Sequence, residues 1–139
     1  MALHNVATVV LRQGDVRHAQ EMFRESLETY RAQHNREGIL RGQLGFAALA
    51  STLGLAVESA RLYAAVAAHS RPNSAIHWPP EKFDYEHYIG LARQTLSDPA
   101  FEAAQTSGRA MSVEQAVELR SAYRWLIQRR SPTWMRQTI

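Results

Sequence analysis

An all-α fold of about seven helices, with no sheet, is what this sequence predicts. Three observations carry that expectation. Apolar residues recur at helical spacing along most of the chain. Strand signals are nearly absent, with no sustained period-two run and no Asn-Gly or Asp-Gly hairpin turn. Glycine and proline divide the rest into helix-length pieces.

Each piece has a physical reason to start and stop. The first helix is expected over about Ala2–Gln13, with Val6, Val9 and Val10 on one face. Gly14 suits its end, because glycine adopts the left-handed conformation without strain. Asp15 then caps the free amides of a second helix, about Val16–His34. Its inner stripe is Val16, Ala19, Phe23, Leu27 and Tyr30. A third helix, about Glu37–Leu53, carries Ile39, Leu40, Leu44, Ala47, Ala48 and Leu49, and Gly54 ends it. The fourth, about Ala56–Ser70, is rich in alanine, so its neighbours must approach closely. Arg71–Pro80 reads as a loop, with Pro80 able to open a fifth helix carrying Phe83, Tyr85, Tyr88, Leu91, Ala92 and Leu96. Asp98-Pro99 is a cap and first-turn proline for a short helix through Thr106. Ser112 and Gln115 form a capping box, which opens a last helix from Val113 to about Arg130, and Pro132 stops it.

The chain is long enough for one domain, with 139 residues, 45% of them hydrophobic. It reads as two helical hairpins over 1–71, followed by capping helices and a basic tail over 72–139. There is no cysteine, which excludes disulfides, thiolate metal sites and a cysteine nucleophile and fits a cytoplasmic protein. The longest uncharged stretch, Gly42–Val57, is 16 residues and contains three glycines, so it reads as buried structure and not as a membrane span.

The net charge of +3 is unevenly placed. Residues 1–109 hold 11 basic and 11 acidic side chains, whereas 110–139 hold five arginines against two glutamates. Those arginines are Arg120, Arg124, Arg129, Arg130 and Arg136, and Trp125 and Trp134 lie among them. Cations mixed with aromatics suit single-stranded nucleic acid, where bases stack and arginine neutralises phosphate. They equally suit a helix that buries its tryptophans and lays arginine stems over apolar surface.

An internal repeat is visible. Gly14 is followed by Ala19, Phe23 and Ser26 at +5, +9 and +12, and Gly54 by Ser59, Tyr63 and Val66 at the same offsets. The glycine makes a tight inter-helix turn, the small residue lets two helices close on each other, and the aromatic fills the space between hairpins. This resembles the tetratricopeptide repeat, although the two glycines are 40 residues apart, not the usual ~34.

A more specific likeness follows in order along the chain. Its segments include Phe23-Arg24-Glu25-Ser26-Leu27, then 58–65 and 91–96, then Phe101-Glu102-Ala103-Ala104, Gly108-Arg109-Ala110-Met111 and 112–117. Over about residues 3–119 the chain is similar to the C-terminal tetratricopeptide-like region of bacterial ATPase-containing transcriptional regulators of the MalT/AfsR type, often joined to a LuxR-type helix-turn-helix. The likeness implies a sensor module that recognises protein or ligand and does no chemistry. It implies as partners the other domains of a larger regulator or a separate protein. The arginine-rich tail departs from the family pattern.

Such regulators bind nucleotide with a glycine-rich loop and a lysine, but the only lysine here is Lys82, after Pro79-Pro80-Glu81. The chain is therefore expected to be part of a longer regulator or a free-standing relative of its sensor part. The alternative is a self-contained helical scaffold, or a nucleic-acid-contacting module using the tail.

A tetratricopeptide groove is lined by the first helix of each hairpin. Here those helices offer His4, Asn5, Thr8 and Arg12, then Arg41, Leu44, Ala48 and Ser51. The lysine–asparagine pairs with which some such proteins grip a terminal carboxylate are missing, since only Asn5 is present. Arg12 and Arg41 either favour an acidic partner or are solvated surface residues. A solenoid end without a neighbour exposes an apolar face, so pairing of two copies is a further expectation.

Catalytic and metal chemistry have little to stand on. Glu81, Asp84 and His87 share a helical face, but a metal site needs matching ligands from other helices, and of the remaining histidines only His18, with Asp15 and Glu21, has carboxylates at helical spacing. No Gly-x-Ser-x-Gly elbow occurs. Neither a metal, a cofactor nor an enzyme activity is expected.

Overall fold

The computed structural model describes residues 2–70 and 82–118. They form six helices: α1 Ala2–Arg12, α2 Val16–Ala32, α3 Arg36–Thr52, α4 Ala56–His69, α5 Lys82–Thr95 and α6 Asp98–Arg109. A seventh, α7, begins at 113–118, and there is no strand among the described residues. Consecutive helices pack on one another, as in a helical solenoid. The long helix α3 is central and touches α1, α2, α4 and α5, while α6 lies mainly on α4. Among the described residues no helix is long and apolar enough to cross a membrane.

The first three turns are copies of one design. Gly14, His34 and Gly54 all have positive φ, of 90°, 53° and 80°. The amides of Asp15, Asn35 and Leu55 donate to the carbonyls of Val10, Tyr30 and Ala50, at 3.2, 2.9 and 2.8 Å. Each bond closes a helix end whose carbonyls would otherwise lack partners. The next helix starts one residue later, at 16, 36 and 56. The structural period is thus 20 residues per helix, or 40 per hairpin. Asp15 and Asn35 cap their helices through His18 N and Gly38 N, whereas Leu55 has no side chain to do so.

Packing between helices rests on size complementarity. Gly38, Gly42 and Gly45 of α3 face Tyr30, Leu27 and Phe23 of α2, so the two helices run antiparallel with large side chains seated on bare backbone. A Cβ at Gly45 would collide with the Phe23 ring. Gly108 does the same for α6, whose backbone sits against the Arg61 carbonyl and Ala64 of α4. The alanine-rich α4 is therefore approached closely, as its composition predicts. Ser59 is fully buried and donates to the Ala47 carbonyl at 2.9 Å.

The predicted aromatic wedges sit where expected. Phe23 packs on Phe46 of the next hairpin, with ring centroids 6.3 Å apart. Tyr63 meets Tyr85 of α5 edge-on at 5.4 Å. The capping box is also formed: Gln115 N donates to Ser112 Oγ at 3.0 Å, and Ser112 N to Gln115 Oε1 at 2.8 Å.

In α1 the buried residues are Ala7 and Leu11, one turn apart, while Val6 and Val9 are exposed. Two local expectations are corrected. The cap of α6 is Ser97, whose Oγ accepts from Ala100 N, so Asp98 is a first-turn acid facing the helix dipole. And α6 runs on to Arg109, past Thr106, because Gly108 is needed inside it for the approach to α4.

Candidate functional site

The candidate site lies on α1 and the neighbouring part of α3. His4 sits where α1, α2 and α3 meet. Its ring contacts Phe23 edge-on, with centroids 5.3 Å apart. Its Nδ1 is buried and has no hydrogen-bond partner among the described residues. Burial, together with the positive charge of Arg41, pulls the His4 pKa from 6.5 down to about 4. Thr8 Oγ1 donates to the His4 carbonyl at 3.1 Å, one turn back along α1. This corner thus combines a neutral imidazole with a nearby guanidinium.

The eight predicted groove residues fall into three burial classes. His4, Thr8, Arg41 and Leu44 are partly buried, and Asn5 and Arg12 are exposed on α1. Ala48 and Ser51 are buried. Ser51 Oγ donates to the Tyr88 carbonyl at 2.5 Å, which ties α3 to α5 and closes the groove there. The surface left open is therefore the α1 side.

That surface includes two of the three valines that share one face of α1. Val6 and Val9 are each 48% exposed, whereas Phe46 and Leu49, 40 residues on in the repeat, are 2% and 0% exposed. Asn5, likewise exposed, occupies the place of buried Gly45. Phe46 packs against Phe23 of α2, with ring centroids 6.3 Å apart.

The other predicted clusters give less. Arg120, Arg124, Arg129, Arg130 and Arg136 lie outside the described residues, as does Glu81. His87 is exposed, and its ring packs edge-on against Tyr88 at 4.8 Å. Among the described residues, no three His, Asp or Glu side chains come together as metal ligands. At the start of α2, His18 Nδ1 and Asp15 Oδ2 are 2.5 Å apart, and the hydrogen bond from His18 holds the Asp15 carboxyl below its ordinary range.

Compared with protein-family models, with curated proteins and with solved structures, the chain matches none.

Proposed function

We propose that this chain is a non-catalytic recognition module, a tetratricopeptide-like stack that binds protein, and that it serves a bacterial ATPase-type transcriptional regulator. One observation carries the reading: the open face of α1. Asn5, Val6 and Val9 are exposed at the very repeat positions that are buried in α3. Repeat proteins bind partners on the extended surfaces that their stacked repeats create. The resemblance over residues 3–119 adds the regulatory setting.

The mechanism is differential binding. A partner that prefers one arrangement of the regulator's domains shifts the population toward it, by no more than its difference in affinity for the two states. The stack's contribution is a rigid platform: Phe23, Leu27, Phe46 and Leu62 are all at most 1–2% exposed, so α1 is held on a packed core.

Affinity capture tests the reading. The whole chain, used as bait in lysate of its host with and without nuclease treatment, is expected to retain the same discrete proteins from both. A bait that retains only nucleic acid, and releases it as salt rises, would favour the tail-based alternative.

A further inference from the structure

We propose that the start of α7, with its cap Ser112, is a releasable strap over α3 and α4, and that Gln43 sets how readily it lifts. Lifting it uncovers Leu40, Leu44 and Val66, so the strap governs access to the α3 part of the predicted groove. That regulatory meaning rests on the recognition reading above; the opening itself does not.

The strap is seated far from its place in the chain. Val113 packs against Leu40 of α3 and Val66 of α4, where Leu44 joins the same cluster. Gln43 Nε2 donates to the Val113 carbonyl at 3.3 Å, across 70 residues of sequence. His69 Nε2, at the end of α4, donates to the Met111 carbonyl at 2.6 Å. Ala116 and Val117 are 0% and 1% exposed, so the strap is closed at rest. The bonds that hold its own shape are internal. Ser112 and Gln115 exchange two hydrogen bonds, and Ala116 N donates to the Ser112 carbonyl. None of these depends on α3 or α4, so the turn can lift as a formed helix end on the short link after Arg109.

Gln43 departs from the repeat at this seat. Nine residues on from the turns at 14, 34 and 54 stand Phe23, Gln43 and Tyr63. The two aromatics seal their junctions, onto Phe46 and Tyr85. Gln43 is fully buried as well, but its end is polar. The Val113 carbonyl can only accept, so it takes the amide nitrogen of Gln43 and leaves the oxygen over. That Oε1 is buried, and nothing among the described residues donates to it. A buried acceptor without a donor raises the energy of the closed state, whereas water satisfies it once the strap is off. The Val113 carbonyl lies in a helical turn and has the amide four residues on as a partner in either state. The strap is therefore held down by Val113, Ala116 and Val117 and loosened by Gln43.

The chain has no cysteine, so one introduced thiol reports its own burial. Val66→Cys puts it under the strap, and Ala60→Cys puts it in the main core of the same helix; both positions are 0% exposed. Reaction with a chromogenic disulfide reagent is followed on the full chain in native buffer, and urea melts by circular dichroism set each rate against that variant's global stability. The thiol at position 66 is expected to react at least about tenfold faster than that at 60, through an opening smaller than global unfolding. Adding Gln43→Leu, which removes the stranded oxygen, is expected to slow the reaction at 66 about tenfold. Gln43→Met repeats the test with an unbranched side chain. Equal rates at 66 and 60 would mean that α7 leaves only with the whole fold, and would overturn the proposal. So would a rate at 66 that both Gln43 variants leave unchanged or raise, since Gln43 would then fasten the strap and not loosen it. Lysate capture is independent of this result. A strap that never lifts leaves recognition standing, and a chain that captures nothing leaves the opening intact without its regulatory meaning.

Discussion

His34 holds a left-handed backbone, φ 53°, at a place where its counterparts Gly14 and Gly54 are glycine. A side chain there crowds the following carbonyl, at a cost of roughly 1–2 kcal/mol. His34→Gly is therefore expected to stabilise the fold by about 0.5–1 kcal/mol, after glycine's greater freedom in the unfolded chain is deducted. Gly54→Ala should do the opposite, and urea melts of both variants check the pair. His4 sets a different dependence. Its pKa is about 4 in the fold against an ordinary 6.5, so the unfolded chain takes up the proton first. The stability it contributes is complete above pH 6.5, falls as the pH drops toward 4, and levels off below that. The whole effect is of order 3 kcal/mol. His4→Leu, which copies Leu44 at the equivalent repeat position, should flatten that part of the stability profile in urea melts between pH 7 and pH 4. An unchanged slope would show that His4 is as well solvated folded as unfolded.

At the level of helices, the α2–α3 contact is a lock of large residues on glycine. Gly45→Ala drives a methyl into the Phe23 ring and is expected to cost about 1–3 kcal/mol by overpacking. Phe23→Leu alone costs about 1–2 kcal/mol through the space it leaves. In the double variant the smaller side chain makes room, so the two changes should be less than additive by ~1 kcal/mol or more, read from a double-mutant cycle. Simple additivity would mean that the helices shift apart instead. Most helices were legible in the sequence to within a residue or two, because Gly14, Gly54, Asp15 and the Ser112–Gln115 pair are unambiguous punctuation. The 20-residue period was not, because a histidine stands at the middle turn and hides it. The cap of α6 was misplaced by one residue, since Ser97 and Asp98 are adjacent and both can accept from an amide. That Val6 and Val9 share a face was legible, but periodicity reports which residues share a face, and not whether a neighbour covers it.

Across the whole molecule, the candidate site was half legible. Asn5 and Arg12, which the sequence named, are exposed, but the sequence could not show that Ala48 and Ser51 are buried or that Ser51 is tied to α5. Long-range packing of that kind leaves no local trace. The charge arithmetic remains a property of two regions: a neutral body, and a C-terminal stretch from residue 110 that carries all of the +3. The identical turns at 14, 34 and 54 carry one more consequence. A chain built from equal increments can be lengthened by whole increments. Duplicating residues 15–54 in tandem adds one helix pair between two matching turns and leaves both ends of the stack as they were. Such a 179-residue protein is expected to keep the same helical signal per residue and to elongate by one hairpin in small-angle scattering. Loss of helical signal would mean that the increments are alike in outline only, and that each seam is cut for one neighbour.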